Sequence, residues 1–129
     1  MSYEKIYLPS GVIRRGAGVV SGAEIIAAAA SEVDDLDRLR ALRWVLIDLT
    51  LATQLDASSE EIRTVGRHNV ATAVYAPRLT IAVVAPRDAV YGVVRMWEGR
   101  SLASEWQTRV FRTLPEAEAW LRAMEPTFA

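Results

Sequence analysis

Two stretches of the chain, over 45–49 and 79–84, are almost continuously apolar and rich in β-branched residues. Strands of this composition are usually covered on both faces of a sheet, whereas half-exposed strands alternate apolar and polar positions. The pattern therefore predicts that these two stretches are the central strands of a sheet.

β-forming residues also occupy 4–8 and 12–16, with a Pro-Ser-Gly sequence between them. Proline followed by glycine is typical of a turn, so these stretches predict an N-terminal hairpin. We interpret the glycine-rich stretch 16–22 that follows as a tight turn leading into the first helix. Apolar and polar positions alternate over 108–112, which predicts a last strand there.

Helices are predicted where apolar residues recur every three or four positions. Positions 21–24 have the capping-box pattern, so they should begin a helix, which we expect to end near 33–35. A second helix is predicted from Ile62 to Ala76. It should end there because the residue before a proline disfavours the helical conformation, and Pro77 follows.

Two more helices are predicted in the second half of the chain. Asp88 is expected to cap the third helix, and positions 113–116 begin the last one. The resulting element order is ββαβαβαβα. Strands that alternate with helices imply an α/β fold with a mostly parallel central sheet and helices packed on it, and the hairpin adds an antiparallel edge.

Length and composition narrow the possible functions. A chain of 129 residues is expected to form one domain over 1–129. With 15 Lys plus Arg against 16 Asp plus Glu, no overall charge recruits nucleic acid or an anionic membrane. The absence of cysteine excludes disulfides and thiolate metal sites. Neither a signal-peptide pattern nor an apolar run of about 18 residues is present, so we expect a cytoplasmic protein.

Polar side chains follow the first central strand and continue to the start of the second helix. They are Asp48, Thr50, Thr53, Asp56, Ser58 and Ser59. Functional groups in α/β sheets are concentrated beyond the carboxyl ends of the strands, where helices begin. The sequence therefore predicts a binding or switch site over this segment.

The spacing of these residues resembles that of the STAS domain, the sulfate transporter and anti-sigma factor antagonist family, whose pattern is roughly D-L-S-x-x-x-x-x-D-S-S-G. The resemblance implies a STAS-like fold and a non-enzymatic regulatory module. It also implies a protein partner, such as a kinase-like anti-sigma factor, which phosphorylates a serine that falls here on Ser58. The interaction surface would be the strand–loop–helix junction 50–62, in which a loop follows the strand after Thr50. Ala57 and Glu60 depart from the pattern. The stretches 91–97 and 110–121 are similar to those of small bacterial STAS-like proteins.

Ser58 also has a purely structural interpretation. With Glu61 it forms the S-x-x-E capping box, in which the hydroxyl accepts a hydrogen bond from the helix backbone. The two interpretations are compatible, because a phosphate at a helix N-terminus would meet free N–H groups. Both remain open from the sequence.

Enzymatic and metal-dependent functions find little support in the residues. His68 is the only histidine, and it lies about 15 Å along the helix from Ser58 at 1.5 Å per residue, too far for a Ser–His pair. The glycines of 16–22 do not match a dinucleotide fingerprint. We therefore predict no catalytic residues, no metal ligands and no cofactor.

An alternative function is that of a carrier or sensor for a small lipophilic ligand. Trp97 and Trp106 flank the longest predicted loop in the second half of the chain, and Arg95 is close by in sequence. These residues could border an apolar pocket with the loop as a flap. A homodimer through an exposed edge strand is a further alternative.

Overall fold

A computed structural model describes residues 2–98 and 106–128. Most of the loop predicted between Trp97 and Trp106, residues 99–105, lies outside the described residues. The described chain contains one five-stranded sheet with the strands in sequence order. The strands are β1 (Tyr3–Tyr7), β2 (Gly11–Ser21), β3 (Trp44–Asp56), β4 (Thr80–Val84) and β5 (Gln107–Phe111).

In the part of the chain that the structure describes, five α-helices accompany the sheet. They are α1 (Gly22–Ala30), α2 (Leu36–Ala41), α3 (Ser59–Ala73), α4 (Asp88–Trp97) and α5 (Leu114–Met124). The 3-10 turn Ser31–Asp34 joins α1 to α2.

The sheet confirms the predicted fold class. β1 pairs antiparallel with β2, whereas β2, β3, β4 and β5 pair in parallel. Consecutive parallel strands joined by right-handed crossovers carry their helices on the same face. Thus α1, α3 and α4 cover one face of the sheet, and α5, which follows the last strand, packs against the other.

The face beneath α5 is a small, closely packed core. Trp44 contacts the Phe128 ring edge-on at a centroid distance of 4.8 Å. Gly11 lies so close to Trp44 that a Cβ atom there would fall 1.9 Å from the indole ring, which explains the glycine. The buried residues of this face are Trp44, Leu46, Ala82, Val84, Ala117, Leu121 and Phe128.

The predicted glycine turn over 16–22 is wrong. β2 continues to Ser21 through Gly16 and Gly18, and of the described residues only Gly18 has a positive φ, at 63°. The strand continues because it finds a partner, since its second half pairs with the second half of β3. The capping box at 21–24 is confirmed and begins α1 directly at the end of this strand.

The predicted loop after Thr50 is also wrong, because β3 runs to Asp56. Its register against β2 shifts twice, between Arg15 and Ala17 and again between Gly18 and Val19. Each shift places an extra residue in β3. β4 pairs with β3 only as far as Asp48, so the rest of β3 and the end of β2 form a two-stranded ribbon beyond the main sheet.

The helices differ from the prediction in two further respects. The sequence interpretation missed α2, which Asp35 caps through a 3.1 Å hydrogen bond from the Arg38 backbone N–H. Asp88 is not a cap, because α4 begins at that residue and Arg87 holds the N-cap position without a side-chain bond. The Asp88 carboxylate instead pairs with Arg112 at 2.6 Å.

Candidate functional site

The first part of the candidate site lies where β3 leaves the main sheet. An Asp48 Oδ1 atom accepts hydrogen bonds from the backbone N–H of Thr50 at 3.0 Å and from its hydroxyl at 2.5 Å. This side-chain to backbone turn satisfies the N–H of a residue at the register shift, which is a structural use of both residues. Thr50 is exposed and Asp48 is half-buried.

The ribbon presents apolar side chains to solvent. Leu51 is 71% exposed and Val19, on the neighbouring strand, is 51% exposed. Thr53 and Asp56 are exposed as well. Exposed apolar side chains that lie close together mark surfaces that bind another molecule, whereas single ones are common on any protein.

At the far end of the ribbon, Ser58 caps α3. Its hydroxyl accepts a hydrogen bond from the Glu61 N–H at 3.1 Å, and the Glu61 carboxylate accepts one from the Ser58 N–H at 2.9 Å. This confirms the predicted capping box. The neighbouring Ser59 is exposed and has no such role. The hydroxyl of Ser58 is therefore held in one position on the surface.

The start of α3 also contacts the start of α1. A Cβ atom on Gly22 would fall 2.4 Å from the carboxyl carbon of Glu61, so a larger residue here would displace the carboxylate that completes the cap. The Ser58 cap is thus packed against a second helix terminus through the residue that completes it.

One exposed side of α3 is basic at its beginning and apolar at its end. It consists of Arg63, Arg67, Val70 and Val74, which follow helical spacing, and we call it the α3 stripe. Val70 and Val74 are 60% and 74% exposed. Glu60 pairs with Arg63 at 2.9 Å, and the hydrogen bond and charge of Arg63 lower the pKa of Glu60.

The structure does not gather all six predicted residues into one cluster. Because 48–56 is strand, Asp48 and Asp56 are separated by roughly 20–25 Å along β3. Asp48 and Thr50 therefore lie at one end of the ribbon. Asp56, Ser58 and Ser59 lie at the other, with Thr53 between the two ends.

A second candidate site is a cavity of about 130 Å³ within the core. It lies between the sheet and the helices α1, α3 and α4. Apolar side chains of β3 and β4 form much of its wall, and Ile62 and Val65 of α3 form part of the opposite wall. Leu55 reaches the cavity from the ribbon, because the two register shifts in β3 return that side chain to the inner face.

The structure places the three residues of the alternative ligand site differently. Trp97 and Trp106 line the cavity, and the buried Trp106 ring donates its Nε1–H to the Ala76 carbonyl at 2.8 Å. Arg95 does not line it: its side chain is exposed and pairs with Glu98 at 3.2 Å.

A buried group of charged residues, which sequence reasoning missed, borders the cavity opposite Trp106. Glu32 is only 5% exposed. Its carboxylate accepts hydrogen bonds from Lys5 Nζ at 2.9 Å, the Tyr7 hydroxyl at 2.5 Å and Arg14 Nη2 at 2.8 Å. We call Lys5, Tyr7, Arg14 and Glu32 the Glu32 cluster. The one signal in the sequence is a basic residue, Arg14, inside an apolar hairpin strand. Nothing in the sequence indicates that its partner is Glu32, 18 positions later.

The electrostatics of the Glu32 cluster follow from burial and mutual contact. Burial opposes ionisation of Glu32, but the Arg14 charge and the bonds from Tyr7 and Lys5 outweigh it and lower the pKa of Glu32. Burial and the bond to Glu32 raise the pKa of Tyr7 to about 12. Burial also lowers the pKa of Lys5. The carboxylate is thus held in its charged form inside the protein.

Within residues 2–98 and 106–128, no group of three His, Asp or Glu side chains is placed to hold a metal ion. No helix in the same ranges is long and apolar enough to cross a bilayer.

Comparison with known proteins supports the fold. The structure of the anti-sigma factor antagonist SpoIIAA, in its unphosphorylated form, is similar to this chain with a TM-score of 0.55. The similarity covers 95% of this chain and 98% of that one, at 14% sequence identity. No protein-family model matches the chain, and no curated protein is similar to it in sequence. The chain therefore has the STAS fold.

Proposed function

We propose that this domain is a non-enzymatic regulatory module that binds a protein partner through the surface around the junction of β3 and α3. The surface consists of the ribbon, the Ser58 cap and the α3 stripe. In this proposal the protein acts inside the cell, and phosphorylation of Ser58 controls the interaction. The observation that carries the proposal is the exposed Ser58 hydroxyl, held in place by the capping box.

The surface has the composition that a protein partner requires. The exposed apolar side chains Leu51, Val70 and Val74 would be buried on binding, and Arg63 and Arg67 would meet acidic groups of the partner. Interfaces commonly combine an apolar centre with a polar rim that includes arginine. The similar structure is that of an anti-sigma factor antagonist, so we propose a kinase-like anti-sigma factor as the partner.

Phosphorylation would act through charge at the cap. A phosphate on Ser58 adds about −1.5 to −2 charges at pH 7. The Glu61 carboxylate lies within hydrogen-bonding distance of the Ser58 N–H, and Asp56 and Glu60 are close in sequence. Repulsion among these groups would disrupt the capping box and change the start of α3. We therefore expect phosphorylation to release the partner.

Isolation of the protein from its own host tests this proposal. The intact mass under denaturing conditions should include a fraction heavier by one phosphate, and fragmentation should map that phosphate to Ser58. The matched control is Ser59→Ala, which should leave the modification in place, whereas Ser58→Ala should remove it. A phosphate on Ser59, or none under conditions in which the host's anti-sigma kinases are active, would contradict the switch.

Partner binding is tested separately with purified kinase-like anti-sigma factors of the host. Ser58→Asp should abolish the complex while the circular dichroism spectrum stays native, and Val74→Asp should weaken it without touching the cap. Unchanged binding by both variants would rule out this surface.

A further inference from the structure

The cavity between the sheet and α3 has an apolar wall and polar groups at both ends. Arg14 on β2 and Thr108 on β5 both line it. β2 and β5 are three strand spacings apart, which is about 14 Å. Ile47 and Val83 lie in register with Arg14 and fill the wall between those strands. The cavity is therefore elongated across the sheet.

Each end of the cavity carries a buried polar atom that lacks a hydrogen-bond partner among the described residues. These atoms are Nε of Arg14 and the hydroxyl oxygen of Thr108. Buried donors are nearly always satisfied by protein, water or ligand. The guanidinium uses Nη2 to bind Glu32, which leaves Nε available to a further acceptor.

The charges around Arg14 favour an anionic acceptor. The Glu32 cluster contains two basic side chains, Lys5 and Arg14, and a single carboxylate. The three hydrogen bonds of Lys5 Nζ go to Glu32, Ser31 and the Ala28 carbonyl. Arg14 is thus the group with a donor left over, and its side chain is only 13% exposed. A carboxylate is the natural partner of a guanidinium with a free N–H.

We infer that this cavity binds a small apolar monocarboxylate, with its anionic group at Arg14 and its hydrocarbon part between the sheet and α3. The size fits a short chain, because an apolar cavity of about 150 Å³ accommodates a six-carbon ring. The site differs from the Ser58 cap and the α3 stripe, since neither Ser58 nor any residue of that stripe lines the cavity. It shares with the ribbon the inward side chains of Val20 and Leu55.

Titration of the full chain with hexanoate, using 1-hexanol as a neutral ligand of equal chain length, tests the inference. Methyl resonances of cavity residues such as Val65 and Val83 should shift with saturation, and hexanoate should bind about tenfold or more tightly than 1-hexanol, because it alone forms a charged hydrogen bond. No saturable shift with hexanoate, or equal affinity for the two ligands, would overturn the inference.

Substitutions test whether the anionic group of the ligand binds at Arg14. Arg14→Lys keeps the charge but removes Nε, and it should weaken hexanoate about tenfold while changing 1-hexanol binding less than about twofold. Arg95→Gln, at an exposed position outside the cavity, should change neither. If Arg14→Lys does not fold, the comparison of hexanoate with 1-hexanol on the unmodified chain still decides the anionic part.

Filling the cavity gives an independent test of its location. Val65→Phe occupies part of the space, so it should abolish binding of both ligands while the fold remains native by circular dichroism. Retained hexanoate binding in a folded Val65→Phe protein would place the site elsewhere. Val74→Asp, which changes the proposed partner surface without touching the cap or the cavity lining, should bind hexanoate normally, which separates a failure of this inference from a failure of the proposed function.

Discussion

The two faces of the sheet differ in how completely side chains fill the space beneath their helices. The face under α5 is built around a cluster of apolar side chains, with Leu121 and Ala117 completely buried, and its one buried polar atom without a partner among the described residues is Nε1 of Trp44. The opposite face, under α1, α3 and α4, contains a cavity of about 130 Å³ and a buried carboxylate between two basic side chains. Filling this volume with side chains would add about 3 kcal/mol of stability, so packing stability alone does not account for the face under α3.

The largest effect is expected from Glu32→Gln on the cavity face. Removing the carboxylate leaves Lys5 and Arg14 buried without a counter-charge, which typically costs about 3–5 kcal/mol. Urea unfolding should report this loss. The control Asp37→Asn affects an exposed residue whose pairing with Arg40 is loose, at 3.9 Å, and should change stability by less than about 0.5 kcal/mol. Equal effects of the two substitutions would mean that the Glu32 cluster is solvated.

A pair of leucine truncations compares the packing of the two faces directly. Leu121→Ala should cost about 2–5 kcal/mol, because the residue is fully buried in a filled core. Leu49→Ala should cost less, because Leu49 already borders the cavity and loses fewer contacts. Denaturant unfolding measures both losses, which can be compared when the m-value, the dependence of the unfolding free energy on denaturant concentration, is the same for the two variants. A larger loss for Leu49→Ala would reverse our description of the faces.

These two faces also differ in how much of them the sequence predicts. The filled face follows from local patterns, because the apolar run of β3 and the capped helix α5 are readable within short windows. The Glu32 cluster joins residues from β1, β2 and the 3-10 turn, up to 27 positions apart, so no local pattern reveals it.

The ribbon shows the same limit in the candidate site. Positions 50–56 contain threonine, glutamine and aspartate and lack a clear alternation, which suggested a loop. They form a strand because the end of β2 supplies hydrogen-bonding partners, and two register shifts accommodate the irregular pattern. The serine cap, by contrast, is a signal contained within four residues and was predicted correctly.

The pH dependence of stability should distinguish the charged face from the rest. The pKa of Glu32 is lower in the folded protein than in the unfolded chain. Its stabilising contribution is therefore complete above the ordinary carboxylate pKa near 4.5 and is lost as the pH falls through the lower folded value. We expect the wild-type protein to lose more stability on acidification from pH 6 to pH 3 than Glu32→Gln does. Parallel curves for the two proteins would contradict this assignment.

The smallest effect is expected at the surface, at the Ser58 cap. Ser58→Ala removes the acceptor for the Glu61 N–H and should cost about 0.5–2 kcal/mol. Ser59→Ala, one residue later, removes no cap and should change stability by less than about 0.5 kcal/mol. Thermal unfolding of the matched pair measures the difference. Identical melting temperatures would show that the cap does not hold the start of α3.

Helix α3 contributes to both candidate sites, the cavity and the proposed partner surface. Its inner side, with Ile62 and Val65, contributes to the cavity, and its outer side carries the α3 stripe. A ligand that displaces the helix by even a fraction of a turn would alter the geometry offered to a partner. Thermodynamic reciprocity then requires the partner to change the affinity for the ligand by the same factor. Through this helix, the binding of a ligand in the cavity and the binding of the partner would each control the other.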